Sequence, residues 1–129
     1  MKLEILLSCM NLQDEDIIER SRIESDTIIV NQCDHDDYSE TEKNGHRIRT
    51  WSVNDRGLTK SRNYAIQRSE ADICLLCDDD EVFADNYETG ILTAYKDIPD
   101  ADVIIFNIGN RPAHWGDIPK RLGYLDLMH

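Results

Sequence analysis

Ile73-Cys74-Leu75-Leu76-Cys77 runs without interruption into Asp78-Asp79-Asp80-Glu81. A short apolar run that ends in carboxylates predicts a buried strand delivering negative charge to the edge of a sheet. Adjacent like charges repel, so a folded chain keeps such a row only where water or a cation offsets the repulsion. Strand side chains alternate with period two, which places Asp78 and Asp80 on one face and Asp79 on the other. That spacing suits a hard divalent ion, which takes one or two protein carboxylates and completes its shell with water and phosphate oxygens. A solvated acidic turn or helix start accounts for the same residues and stays open at this point.

A length of 129 residues predicts one domain with enough chain for a core. The formal net charge of −12, from 26 acidic and 14 basic residues, argues against a nucleic-acid backbone or an anionic membrane as the main partner. A phosphorylated small molecule fits if a metal, a helix N-terminus or a few basic residues reverse the field locally. Residues 1–7 are too short a run, and meet Glu4 too early, for a signal peptide. Together with the lack of any apolar run long enough for a membrane span, this predicts a cytoplasmic protein. Cys9, Cys33, Cys74 and Cys77 each lie in or at the end of an apolar run and read as buried reduced thiols. Cys74 and Cys77 have the Cys-x-x-Cys spacing, but on a strand residues three apart face opposite ways, which disfavours shared zinc binding.

In chain order, residues 3–7 read as a first strand and end near Ser8-Cys9-Met10-Asn11. An acidic segment then leads into a helix carrying Ile17, Ile18 and Ile23. Residues 27–30 are β-branched and mark a second strand, followed by Asn31-Gln32-Cys33-Asp34 and a polar loop over residues 35–45. His46–Val53 alternates as a third strand, Asn54-Asp55-Arg56-Gly57 turns, and a helix covers Leu58–Arg68. Leu58, Arg62, Ala65, Ile66 and Ser69 form one stripe of that helix, predicted to face the sheet. Lys60 and Arg62 lie in its first turns, where the helix dipole favours anions, and so point to an anionic ligand such as a diphosphate. Exposed cations that pair with nearby acids are the alternative. A third helix over residues 85–97, with Tyr87, Ile91, Leu92, Ala94 and Tyr95 inward, and a strand over residues 102–108 complete the pattern. Residues 109–129 have no clear period.

Strands alternating with helices predict an α/β fold with a mostly parallel sheet flanked by helices. Ligands bind at the carboxyl ends of such strands. Polar clusters follow four of the predicted strands: residues 8–11, 31–34, 54–57 and 78–81.

Asn54-x-x-Gly57-x-x-x-x-Arg62-Asn63, followed after one helix and one strand by Asp78-Asp79-Asp80, resembles the inverting family 2 glycosyltransferases, whose nucleotide-sugar-binding fold is called GT-A. The resemblance covers residues 3–108 and implies a GT-A domain of the truncated type. It divides the chain into a nucleotide-sugar-binding domain at 1–108 and a tail at 109–129 leading toward an acceptor-binding half. It implies Mn2+ or Mg2+ held by Asp78 and Asp80, with Asp78 and Asp79 also toward the donor. Arg62 would approach the nucleotide, Asn54 and Gly57 would wall its pocket, and Ser8 and Asn11 would lie beside base and ribose. Ser8 and Met10 stand where the family commonly has Pro and Tyr, and Asn31-Gln32 where it commonly has an Asp pair. Gln32 or Asp34 would take the base edge, uridine being favoured. The implied reaction moves a sugar from a nucleoside diphosphate sugar, UDP-sugar first, to the hydroxyl of a saccharide or lipid-linked saccharide acceptor, with inversion. No residue of the chain is identifiable as the general base. A non-catalytic nucleotide-sugar-binding module or an inactive short homologue is the alternative. Apolar surface exposed by truncation would favour a homo-oligomer.

Overall fold

A computed structural model of the chain describes residues 1–13, 16–104, 107–108 and 126–128. The chain divides into two compact units, Met1–Asp80 and Glu81–His129. In the first, the apolar runs form strands β1 (Leu3–Met10), β2 (Asp26–Gln32), β3 (Asp37–Lys43), β4 (His46–Val53) and β5 (Ile73–Asp78) of one sheet, ordered β3-β4-β2-β1-β5. β4, β2, β1 and β5 are all parallel, and β3 alone runs antiparallel to its neighbour. Helix α1 (Ile17–Arg20) is a single turn that buries Ile17 and Ile18, shorter than the acidic lead-in predicts. Helix α2 (Leu58–Arg68) has the predicted bounds.

The interior strands β1 and β2 are buried on both faces, as expected where helices cover a parallel sheet. On the face that carries α2, Leu6, Ile28, Val30 and Ala65 pack with Trp51, Val53 and Tyr64. The helix turns Ser61 and Ala65 to the sheet, which corrects the predicted stripe: Leu58 and Ile66 are 47% and 48% exposed. Small side chains at the contact let the helix approach closely, so that Tyr64 and Arg68 reach Trp51 and Arg62 is left on the flank toward β5. β5 is paired only with β1 among the described residues and alternates in burial. Ile73, Leu75 and Cys77 point in, whereas Cys74 and Leu76 are exposed, so Cys74 is not the buried thiol its sequence context predicts. None of the four cysteines is in a disulfide.

Residues 35–45 are not a loop. They contain β3, which turns into β4 through Asn44 and Gly45, both left-handed with φ of 53° and 82°. Two consecutive left-handed residues of this type make the hairpin turn whose twist matches the flanking strands. Glu40 and Arg49 face each other across the ladder, as do Glu42 and Arg47, and Glu40 also accepts a hydrogen bond from Arg47. β3 is polar on both faces and largely exposed, so hydrophobic alternation carries no signal for it. Charged side chains protect such an edge from pairing with other chains.

In the second unit, helix α3 (Tyr87–Asp97) buries Tyr87, Ile91 and Ala94, and Phe83 stacks on Tyr87 with ring centroids 4.7 Å apart. Of the strand predicted at 102–108, Asn107–Ile108 form β6, paired parallel with β7 (Asp126–Met128). Residues 102–104 are not strand, and residues 105–106 of that prediction lie outside the described residues, as does the tail at 109–125.

Beneath α2, Arg49 Nη2 donates to Glu4 Oε2 at 3.0 Å, both side chains being at least nine-tenths buried. Glu4 Oε1 accepts from Ser69 Oγ at 2.6 Å, and the Arg49 guanidinium lies 5.3 Å from the Trp51 ring. Removing one partner strands a buried charge. Arg49→Met is expected to destabilise the fold by about 3–5 kcal/mol in urea denaturation, and adding Glu4→Leu to recover much of the loss.

Candidate functional site

The parallel strands β4, β2, β1 and β5 end at Val53, Gln32, Met10 and Asp78, so all four polar clusters lie along one edge of the sheet. Registry sets the neighbours there. Ser8 of β1 stands opposite Val30 on one side and Asp78 on the other, and Met10 stands opposite Gln32. Ser8 is buried, and its Oγ accepts from Ser61 Oγ of α2 at 2.7 Å. That hydroxyl pair holds the helix start to β1.

On the β5 side of this contact, Arg62 Nη2 lies 3.7 Å from Asp78 Oδ1, each about two-fifths exposed. Arg62 Nε is buried and has no hydrogen-bond partner among the described residues. The remainder of the guanidinium stays part-exposed beside the Asp78 carboxylate. Asp78 and Asp80 present carboxylate oxygens within 4.8 Å of each other, an all-oxygen donor set that fits a hard divalent cation. Asp79 acts electrostatically on Cys9, which lies on the opposite sheet face from Ser8. β5 ends at Asp78, and Asp79 and Asp80 lie in the turn that follows, so the strand alternation predicted for the acidic run stops at Asp78.

On the other side of the Ser8–Ser61 contact lies a cavity of about 560 Å³. Gln32, Asn54, Ser61, Lys60, Trp51 and Tyr64 line it, with Asp36, Asp37 and Asp55 among its acids. Gln32 is 5% exposed, and its Nε2 donates to Gly57 O at 3.0 Å. This bond fixes the orientation of its amide. Gly57 has φ 122°, a backbone region that strains side-chain-bearing residues, and its carbonyl also accepts the first helical bond from Ser61 N–H. Asn54 N–H donates to Asp36 Oδ1 at 2.7 Å. Lys60 pairs with Asp55 at 3.3 Å, so it and Arg62 attend different parts of the edge. The Arg56 and Lys60 donors hold the Asp55 carboxyl below its usual range, the backbone N–H of Arg56 first.

Asp34 points outward, hydrogen-bonded to His35 Nδ1 at 2.9 Å; this bond holds the Asp34 carboxyl low and the His35 imidazole high. Asn11 is exposed and left-handed, with φ 49°, and its N–H extends the ladder to Gln32 O. The structure therefore brings Arg62, Asp78 and Asp80 together with Ser8 adjacent, and Gln32 and Asn54 together on the cavity, with Gly57 behind Gln32. Asp34 and Asn11 lie at the periphery.

Four contributors carry little sequence signal. Asn31 is buried, accepts from Leu12 N–H at 2.9 Å and donates to Ser52 Oγ at 3.3 Å, tying the ends of three strands. Arg56 Nη1 donates to Cys33 O at 2.7 Å across the same edge. Trp51 and Tyr64 wall the cavity, their ring centroids 6.4 Å apart. Only the inward phase of β4 and the α2 stripe that includes Ala65 would have found the last two.

A family model described as Glycosyl transferase family 2 matches residues 15–128. The chain belongs to that family. No curated protein matches it. Its fold is similar to the crystal structure of S. aureus TarS 1-349, with a TM-score of 0.62 and 16% sequence identity, over 88% of this chain and 38% of that one. At this identity the likeness shows the fold, and the family 2 sheet with its flanking helices is of the GT-A type. The chain spans about 38% of the TarS structure it matches. No helix among the described residues is long and apolar enough to cross a membrane.

The edge also sets thiol reactivity. Burial, with the charges of Asp79 and Cys33 adding, pushes the Cys9 thiol up to about 12, whereas Cys74 is exposed. At about pH 8, iodoacetamide is expected to label Cys74 first and to reach Cys9 only on unfolding, as read by peptide mass spectrometry.

Proposed function

We propose that residues 1–108 form the donor-binding part of a glycosyltransferase that transfers a sugar from a nucleoside diphosphate sugar, UDP-sugar first, to an acceptor hydroxyl with inversion. The observation that carries this reading is the Arg62–Asp78 pair, with its part-exposed guanidinium, on the same sheet edge as the cavity beyond Ser61. The base and ribose enter the cavity, where the Gln32 amide oxygen accepts a base N–H and Asn54 forms part of the wall, with Gly57 and Ser8 supporting Gln32 and Ser61 from behind. Asp34 and Asn11 stay outside the cavity, at the periphery of the edge. The diphosphate lies toward Arg62, whose part-exposed guanidinium donates to it.

Asp78 and Asp80 hold Mn2+ or Mg2+, with Asp79 adding charge from behind. When bound, the ion neutralises the charge that builds on the leaving diphosphate. Arg62 orients the diphosphate so that the sugar's anomeric carbon faces outward from the strand ends. The carboxylate that deprotonates the acceptor is assigned to an acceptor-binding half beyond the tail at 109–129.

Calorimetric titration of UDP tests the reading. Mn2+ is expected to strengthen binding by about tenfold or more, Asp80→Ala to abolish that gain, and Arg62→Ala to weaken binding with or without metal. UDP binding indifferent to Mn2+ and to both substitutions would overturn it.

A further inference from the structure

The bend after β2 gathers a second set of donors, of a different chemistry. Cys33 Sγ, a carboxylate oxygen of Asp34 and an imidazole nitrogen of His35 lie within 4.8 Å of one another. Cys33 Sγ is 3.7 Å from His35 Nδ1, and Asp34 Oδ1 is 2.9 Å from the same nitrogen. Zn–S of about 2.3 Å and Zn–N of about 2.0–2.1 Å at a tetrahedral angle separate the two donors by about 3.5 Å, close to the observed spacing. The carboxylate has to retreat by about half an ångström from the nitrogen to make a tetrahedral edge. Asp34, at 94% side-chain exposure, has the freedom to do so.

The backbone under these donors is anchored. Cys33 N–H donates to Val53 O at 2.9 Å, and Arg56 Nη1 holds Cys33 O at 2.7 Å. The Cys33 thiol turns back over the bend toward the His35 carbonyl at 3.3 Å, which aims sulfur at the imidazole rather than along the sheet. Thiolate, imidazole and carboxylate carry two negative charges together, which balance a divalent ion. A thiolate selects a borderline-soft metal, in contrast to the oxygens of Asp78 and Asp80.

We infer that Cys33, Asp34 and His35 form a Zn2+ site with a fourth position open to water or ligand, separate from the hard-cation site at Asp78 and Asp80. Gln32 and Asp36 flank these three residues and line the cavity, so the ion stiffens one wall of that cavity. The site does not depend on the glycosyltransferase reading.

Co2+ titration of the reduced, metal-free protein provides the test. The expected result is a thiolate-to-cobalt charge-transfer band in the near ultraviolet, displaced by one equivalent of Zn2+. Cys33→Ser abolishes the band, His35→Ala weakens Zn2+ binding by about tenfold or more, and Cys74→Ser and Asp80→Ala leave both unchanged. Because Cys33 is buried, the exposed His35→Ala carries the test should Cys33→Ser fail to fold. Absence of the band, its persistence in Cys33→Ser, or unchanged Zn2+ affinity in folded His35→Ala overturns the proposal.

Discussion

Pairing of β1 with β2 on one side and β5 on the other, both parallel and both through Ser8, is the constraint on which the arrangement of the edge depends. It aligns the carboxyl ends of the strands and gives every side chain there a face. Ser8, Gln32 and Asp78 share the face of α2, while Cys9 and Asn31 take the other. A register slip of one residue would exchange the two sets. The double burial of β1 and β2 opposes such a slip, since it would have to repack Ile5, Leu7, Ile28 and Ile29 against the opposite layers.

The β-branched and apolar strands, the bounds of α2 and the acidic end of β5 are legible in the sequence because burial writes them as runs of one residue class. The same rule explains what was not legible. β3 has little to bury, so the Asn44-Gly45 turn was its strongest mark, and alternation of polar residues with other polar residues hides a strand. The α2 stripe misled because Leu58 and Ile66 are the larger apolar residues, yet contact with the sheet is made by the small ones, Ser61 and Ala65.

Within the site, the association of Arg62 with Asp78 follows from helix position and strand phase, which short-range pattern carries well. Gln32 was legible as a polar strand end, but its orientation was not. Its partner, the Gly57 carbonyl, is 25 residues away in sequence, and only the fold brings the two together. The roles of Asn31 and Arg56 are hidden for the same reason: they satisfy backbone groups of segments remote in sequence, and a buried polar side chain reveals itself only through its partners.

The acids at the cavity have a consequence for encounter. Asp36, Asp37 and Asp55 crowd its margin on a chain that is already strongly anionic. An approaching polyphosphate with no countercharge meets a repulsive potential that grows as the solution becomes more dilute in electrolyte. Capture of such a molecule is therefore slowest in low-ionic-strength buffer, the reverse of electrostatic steering, and a cation travelling with it removes much of the barrier.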